Sequence, residues 1–474
     1  MQNYPTREIA LPRVHHISNE ISRLYLSSVL FFLIIPYVLG ICWPTPTLTY
    51  IALLTPPIAC LIIGVMSPSA GIGLGLAILP LLTVEVAIEA ERSISVAKLT
   101  LLTIIAIWIF SRRLKPFSNP PIILHWVVFL SALLVSSIFN GLSFPILWHL
   151  TESVIALLIF VAITEIIRDE TERHTLLYLL ALSGSIVIML WFIQKGFLYW
   201  GSIEIPLVLR VGISQSTSIR NSSTLAQPNY FGAYCILLGS IYFSLIINKS
   251  KLIRIGLATA GIITWLIPIW VGSTGTMVSL VVAIIGGGII FPYKPLKASS
   301  LLVIFLLAAT ISGAIFFQNH NFSSLKIDSN SVVIRKYAFL MGYRSWLDNP
   351  LLGTGPGTFE KEFIKAESNY TGPKIITMRL PARSLAAHNG YLRHLVEIGA
   401  LGLGAFLWLI CALFYQMWNK LRHNGIFDLY LFLGLVAFSI NAVFEDVFSY
   451  SVLWVIFWSM NAIMLTTYKS DTSA

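Results

Sequence analysis

The sequence predicts an all-α, polytopic integral membrane protein, a helix bundle of about 12–14 transmembrane helices with one large extramembrane loop. Of the 474 residues, 56% are hydrophobic and only 11% are charged, and the mean hydropathy is +0.81. A soluble domain carries roughly 25% charged residues, which excludes a soluble enzyme with a single anchor. Apolar runs of about 20 residues, each long enough to cross a bilayer, recur along the whole chain.

These apolar runs place about fourteen spans with mostly short connections between them. The chain is therefore predicted to form a single integral membrane domain over residues 1–474. The predicted spans are 24–43, 47–66, 71–89, 96–110, 121–139, 151–167, 175–193, 224–247, 253–271, 275–292, 298–317, 390–415, 427–443 and 448–467.

Lysine and arginine are concentrated in alternate short loops, which orients the chain by the positive-inside rule. Cytoplasmic N- and C-termini put the following residues in the cytoplasm: Arg112, Arg113, Lys115, Arg168, Arg173, Lys249, Lys251, Arg254, Lys294, Lys297, Lys420 and Arg422. Two substantial loops, 194–223 and 318–389, then lie outside. The net charge of +10 is spread over loops, which favours membrane lipids and phosphate-rich membrane partners over nucleic acid.

The larger outer loop contains a segment, Val332 to Leu347, in which apolar residues alternate with lysine and arginine. This pattern is typical of a helix that lies on a membrane surface. Asn349-Pro350 is expected to end that helix.

A glycine-rich run, Leu352 to Phe359, comes next. It superficially resembles a phosphate loop, but no strand precedes it and no Lys-Ser/Thr follows. A tight turn that brings backbone amides near a cavity is favoured over nucleotide binding.

Polar residues also mark the start of the span predicted at 224–247. Arg210 and Arg220 precede it, and Gln227-Pro228-Asn229 falls inside its first turns. Pro228 removes a backbone donor and is expected to kink or open the helix. Gln227 and Asn229 are costly against lipid, so they either line a polar cavity or bond a neighbouring helix.

His388 is the predicted catalytic residue because it lies where the larger loop re-enters the membrane, close to Arg379 and Arg383. Asn389 is a good helix N-cap, and the positive end of the helix dipole favours a neutral imidazole. A neutral histidine can take a proton from a hydroxyl, and arginines bind phosphate oxygens. The alternative is that His388 only caps the helix. Asp348 is the predicted acidic partner within the loop.

The remaining histidines lack metal-ligand spacing, so neither a metal site nor a cofactor is predicted. Several carboxylates, Glu85, Glu89, Glu397, Glu445 and Asp446, lie near span ends. One of them is a candidate proton relay, although carboxylates at a membrane interface are usually solvated or paired.

Three sequence blocks together resemble the superfamily of O-antigen ligases and O-antigen polymerases, bacterial envelope glycosyltransferases. Block 1, Arg220 to Tyr230, is similar to the family's arginine followed by Pro-Asn at a helix start. Block 2, Arg344 to Phe359, is similar to the family's Pro-Leu-hydrophobic-Gly-x-Gly-x-Gly-x-Phe. Block 3, His388 to Gly402, is similar to the family's His-Asn-x-x-Leu and Glu-hydrophobic-Gly. The blocks lie in the middle and C-terminal half of the chain.

The resemblance implies glycan transfer at the periplasmic face of the bacterial inner membrane, without metal or nucleotide. The donor is then a glycan on undecaprenyl diphosphate, His388 activates the acceptor hydroxyl, and Arg220 holds the diphosphate. The family commonly has an arginine where this chain has Thr274. The resemblance leaves Arg210, Arg344, Arg379 and Arg383 as candidates to replace it.

The expected function is that of an O-antigen ligase, with a lipid A–core sugar as acceptor. A polymerase that extends lipid-linked repeats is the alternative within the family, and protein O-glycosylation is a third acceptor choice. The alternative from another class is a transporter or flippase, which typically carries an internal repeat with paired broken helices and polar groups near the bilayer midplane. Neither feature is evident in the sequence.

Overall fold

The structure of the protein, a computed structural model, describes most of the chain after residue 45. The described residues are 28–29, 33, 35, 39, 46–81, 84–89, 92–112, 121–201, 209–211, 223–225, 227–246, 249–290, 329–370, 387–424 and 427–466. They form a helical bundle with a small sheet at one end.

The helices and strands follow one another in chain order. The helices are α1 (Pro46–Met66), α2 (Pro68–Ile78), α3 (Val96–Arg112), α4 (Ile123–Phe139), α5 (Phe144–Ile166), α6 (Glu170–Gly201), α7 (Pro228–Ser244), α8 (Lys251–Val271), α9 (Thr274–Ile290), α10 (Ser329–Asp348), α11 (Phe359–Ser368), α12 (Gly390–Asn424), α13 (Phe427–Asn441) and α14 (Ser451–Leu465). The strands are β1 (Val84–Glu89), β2 (Arg92–Ser95) and β3 (Leu209–Val211).

The prediction of a polytopic helical membrane protein is confirmed. Within the described ranges, four helical stretches are long and apolar enough to cross a membrane: Phe144–Ile166, Glu170–Phe197, Lys251–Val271 and Gly390–Arg422. Six shorter apolar helices accompany them. The runs predicted at 96–110 and 427–443 are helices, α3 and α13. The spans predicted at 298–317 and, for the most part, at 24–43 lie outside the described residues, so their number stays a prediction.

The predicted span 71–89 is wrong in its second half. Helix α2 ends at Ile78, and the chain then enters β1, which pairs antiparallel with β2 and parallel with β3. Alternating and β-branched residues in Val84–Glu89 fit a strand better than a helix. The predicted outer loop at 194–223 also begins later, because α6 continues to Gly201.

The expected kink at Pro228 is absent because the helix starts at this residue. Gln227 is the extended N-cap residue, and Pro228 occupies the first helical position, where its missing N–H costs nothing. Gln227 is exposed and Asn229 is half-buried at this helix start.

Helix α12 is broken near its beginning. Gly399 has φ 67° and ψ −174°, so residues from Gly390 to Ile398 form a short first segment and the rest forms a long second one. The span predicted at 390–415 lies within α12, which is interrupted at Gly399. The first segment begins as predicted, since Asn389 Oδ1 accepts from the backbone N–H of Leu392 at 2.9 Å.

The segment from α10 to α11 packs on the start of α12 through a small core of its own. Tyr337, Met341, Phe359, Phe363 and Val396 are buried together there. Burial, together with the carboxylate of Glu367, raises the pKa of Tyr337 to about 12, and its hydroxyl donates to Glu367 Oε1 at 3.0 Å. Helix α10 confirms the helix predicted at Val332–Leu347 and ends just before Asn349-Pro350.

The bundle has two chemically distinct ends. At one end, hereafter the His388 end, Gly390 N donates to Ala442 O at 2.7 Å and joins the start of α12 to the end of α13. At the opposite end, Arg112 pairs with Glu165 at 3.4 Å, and Arg173 on α6 pairs with buried Asp428 on α13. Charged pairs therefore lie at both ends of the bundle, and the helices between the two ends are mainly apolar.

Candidate functional site

His388 belongs to an ion-paired group of three side chains at the start of α12. Its Nδ1 lies 3.4 Å from Glu445 Oε2, while Arg335 Nη2 lies 2.6 Å from the other oxygen, Glu445 Oε1. Glu445 is only 4% exposed, whereas the side chains of His388 and Arg335 are 26% and 30% exposed. The buried carboxylate therefore holds two partly exposed cationic or basic groups beside each other.

The backbone also fixes His388. Its φ is +48°, a left-handed conformation that is uncommon for residues other than glycine, although histidine adopts it more often than most. The Asn389 cap and the Gly390–Ala442 hydrogen bond follow directly after it and hold the chain in this conformation. These contacts fix the backbone from which the His388 side chain projects.

A second ion-paired group is built around Arg393, one turn into α12. Arg393 Nε lies 2.9 Å from Glu397 Oε1, and Nη1 lies 2.8 Å from Asp446 Oδ2. Both carboxylates are buried. Since Glu445 and Asp446 are neighbours in the chain, the same turn between α13 and α14 binds His388 and Arg393.

The glycine-rich turn closes against the break in α12. The amides of Thr354 and Gly355 donate to Val396 O and Glu397 O at 3.0 and 2.8 Å. Gly353, Gly355 and Gly357 all have positive φ, so the expected tight turn is confirmed. These two amides bind the helix, and Pro356 of the same turn lines a small cavity beside it.

His149 and Glu152 on α5 add a further acid–base pair. His149 Nδ1 lies 3.3 Å from Glu152 Oε2, and Gly357 approaches the His149 ring so closely that a Cβ there would lie 2.1 Å from Cδ2. A cavity of about 50 Å³ lies between this pair, Arg393 and Glu397. We call this space the polar chamber; it has room for a few water molecules, at ~10–15 Å³ each.

This arrangement has the parts that proton transfer from a hydroxyl requires. A carboxylate at Nδ1 of His388 orients the imidazole and leaves Nε2 available to accept a proton. Arg335 adds a cation beside it that can face an anionic group. Within the described part of the chain, His, Cys, Asp and Glu side chains form no group of three that could hold a metal ion.

The predicted site residues are only partly brought together. Arg344 is exposed, and its guanidinium carbon lies 4.6 Å from the centre of the Tyr370 ring. It is nine residues from Arg335, a spacing that puts the two on opposite faces of α10. Arg210 lies in β3, paired in register with Glu85 of β1. Arg220, Arg379 and Arg383 lie outside the described residues.

Sequence reasoning missed several members of the site. Asp348, the predicted acidic partner, is exposed at the end of α10. The acidic partner of His388 is Glu445 instead. Arg335 was assigned only to the membrane-surface helix, and Arg393, His149 and Glu152 were not singled out for chemistry. The sequence feature that could have pointed to this site is the adjacent pair of carboxylates, Glu445 and Asp446, between two apolar runs.

Sequence comparison with protein-family models and with curated proteins gives no significant match for this chain.

Proposed function

We propose that this protein is an O-antigen ligase-like glycosyltransferase of the bacterial inner membrane. It moves a glycan from undecaprenyl diphosphate to a hydroxyl of lipid A–core at the periplasmic face. The observation that carries the proposal is the partly exposed His388, whose Nδ1 faces the buried carboxylate of Glu445 while Arg335 binds the same carboxylate.

The relation between sequence blocks 2 and 3 also supports this function. Gly355 of block 2 donates to the carbonyl of Glu397 in block 3, and Phe359 N lies 3.3 Å from Glu397 Oε1. The two blocks that resemble the transferase family thus form one packed unit around the start of α12. Block 1 ends at Tyr230, whose ring stacks on Tyr450. Tyr450 lies in the turn between α13 and α14, the turn that binds His388 and Arg393.

In the proposed reaction, the acceptor hydroxyl gives its proton to His388 Nε2 while its oxygen attacks the anomeric carbon of the donor sugar. The bond from that carbon to the diphosphate oxygen breaks, and undecaprenyl diphosphate leaves with the electron pair. Glu445 stabilises the resulting imidazolium, and Arg335 is the described arginine best placed to offset charge on the leaving group. The protein mainly positions the reactants and removes one proton.

The test is the distribution of glycan between carrier and acceptor in a deletion strain, complemented with the wild-type chain or with His388→Ala. Full-length polymer stranded on undecaprenyl diphosphate, restored to lipid A–core only by the wild type, is the expected result. Loss of polymer with single repeats on lipid A–core indicates a polymerase. Unchanged pools in the deletion strain contradict both activities.

A transporter or flippase is the second candidate, favoured by the break in α12 at Gly399. Broken helices are common at transporter sites, but there they occur as a pair near the bilayer midplane. Gly399 is instead nine residues from the start of its helix, close to the His388 end. A transporter tolerates His388→Ala, whereas the proposed transferase loses turnover and still binds its donor.

A further inference from the structure

An apolar cavity of about 260 Å³ lies between α3, α5 and α14 at the His388 end. Leu101, Ile155, Val452 and Val455 form much of its wall. It shares Glu152, Ser451 and Trp454 with the polar chamber. It exceeds the roughly 150 Å³ at which an apolar protein cavity takes up a benzene-sized molecule.

The cavity opens sideways between α3 and α5. Leu102 and Thr151 line it and are exposed, and Leu102 is 55% exposed. Since both helices belong to the apolar bundle, this opening faces the hydrocarbon of a surrounding bilayer. A chain already dissolved in the membrane can therefore enter without crossing water.

The polarity of the walls changes along the cavity. Lys98 is the third residue of α3 and lies at the end of the bundle, with Nζ 4.3 Å from the centre of the Trp148 ring. Leu101 and Leu102 follow one turn deeper. A cation at the outer end and hydrocarbon further in match an anionic lipid that lies with its head group at the membrane surface.

Glu152 does not counter this match, because its oxygens are engaged. Oε1 accepts from Trp148 Nε1 at 2.9 Å and from Ser451 Oγ at 2.7 Å, and Oε2 faces His149 Nδ1 at 3.3 Å. Glu152 borders the cavity, but these protein contacts engage both of its oxygens.

We infer that this cavity binds one hydrocarbon chain of an anionic lipid, with the head group beside Lys98. A membrane phospholipid and a polyprenyl phosphate share this chemistry, and both are sources for the chain. The inference goes beyond glycan transfer and does not require it, although a polyprenyl ligand would put the carrier of the proposed donor next to the polar chamber.

The experiment is photolabelling of the full-length protein in lipid nanodiscs with two probes, each carrying a diazirine in its chain. One probe is a phosphatidylglycerol and the other is a polyprenyl phosphate. Adducts are mapped by peptide mass spectrometry. Wild-type protein is expected to carry adducts on the buried lining residues Leu101, Val452 and Val455. Preference for one probe identifies the source of the chain.

Two variants and one control test the assignment. Leu101→Trp fills the cavity and is expected to lose most of this labelling, while Val127→Trp, on the exposed face of α4, keeps it. Lys98→Glu is expected to reduce labelling by both anionic probes but not by a phosphatidylcholine probe. Size-exclusion profiles identify any variant that fails to fold. The adduct map of the wild-type protein tests the inference independently of these variants.

Adducts confined to exposed helix surfaces, or labelling that Leu101→Trp leaves unchanged in a folded protein, would overturn the inference. Transfer activity is measured separately on the same preparations. Labelling at Leu101 and Val455 without transfer leaves the lipid site standing and rejects the proposed enzyme. Transfer without this labelling rejects only the lipid site.

Discussion

At the scale of single residues, the site depends on one buried carboxylate that serves two partners. Glu445 is almost wholly buried, and isolated burial of its charge would be costly. Arg335 and His388 compensate that cost from opposite oxygens. The same contacts restrict how the imidazole can turn, so the stability of the turn and the orientation of the base have a common origin.

Replacing Glu445 by glutamine is expected to lower glycan transfer by about 10²-fold, within the range that a positioned acid–base group contributes. The amide keeps the shape of the side chain but does not stabilise an imidazolium. Turnover and donor binding are measured on purified protein, and donor binding is expected to change little.

Asp348→Asn is the matched control for this change. Asp348 is the exposed carboxylate that sequence reasoning favoured as the partner of His388. Wild-type turnover in Asp348→Asn supports the role of Glu445. A larger loss in Asp348→Asn than in Glu445→Gln would contradict it.

At the scale of elements, the glycine-rich turn and the broken start of α12 form one unit. Gly353 and Gly399 face each other so closely that a Cβ on Gly353 would lie 2.5 Å from Gly399 N. Ser136 on α4 binds Leu352 O at 2.6 Å, and Asn140 Nδ2 donates to Gly353 O at 3.1 Å. Three segments that are distant in sequence are thereby held around Arg393 and Glu397.

Gly353→Ala is expected to destabilise the protein, because φ is +70° and the new methyl group overlaps the backbone of Glu397 and Gly399. The left-handed conformation costs about 1–2 kcal/mol for an alanine. Overlap in a packed region costs roughly a further 1–3 kcal/mol. A lower midpoint of thermal unfolding in detergent is the predicted observation.

Gly404→Ala provides the comparison, in the helix that the turn contacts. A Cβ at Gly404 meets nothing within 4 Å, and its φ lies outside the left-handed region. Alanine is favoured over glycine inside a helix by roughly 0.5–1 kcal/mol, so this variant should unfold at the wild-type temperature or slightly above it. Equal losses in both variants would show that the contact between the turn and α12 is unimportant.

At the scale of the whole molecule, the two ends of the bundle differ in what their charges do. At the His388 end, acidic groups bind His388, Arg335 and Arg393, and Arg393 borders the polar chamber. At the opposite end, Arg173 binds Asp428, and Lys420 Nζ donates to the carbonyl of Met464 at 2.6 Å, contacts that tie helices together. The proposed chemistry belongs to the first end.

The predicted orientation can be tested by cysteine labelling in intact cells after the native cysteines have been replaced. A membrane-impermeant maleimide added outside should label Asp348→Cys and leave Glu170→Cys unlabelled. Asp348 is exposed in the loop that is predicted to lie outside, and the side chain of Glu170, at the start of α6, is 66% exposed at the opposite end. The reverse labelling pattern would invert the topology and remove His388 from the periplasmic face.

The sequence by itself determined the features that depend on local composition. Long apolar runs require helices in a bilayer, Asn349-Pro350 stops α10, Asn389 caps α12, and closely spaced glycines make a tight turn. Each of these follows from the chemistry of a few adjacent residues.

Only the tertiary structure decided which distant groups meet. Glu445 contacts His388 across 57 positions of the chain and Arg335 across 110. Such pairs leave no period in the sequence, because they depend on how α10, α12 and the turn after α13 pack together. Gly399 illustrates the same limit: a glycine inside a helix costs only about 1 kcal/mol, so an apolar run alone does not reveal that the helix breaks there.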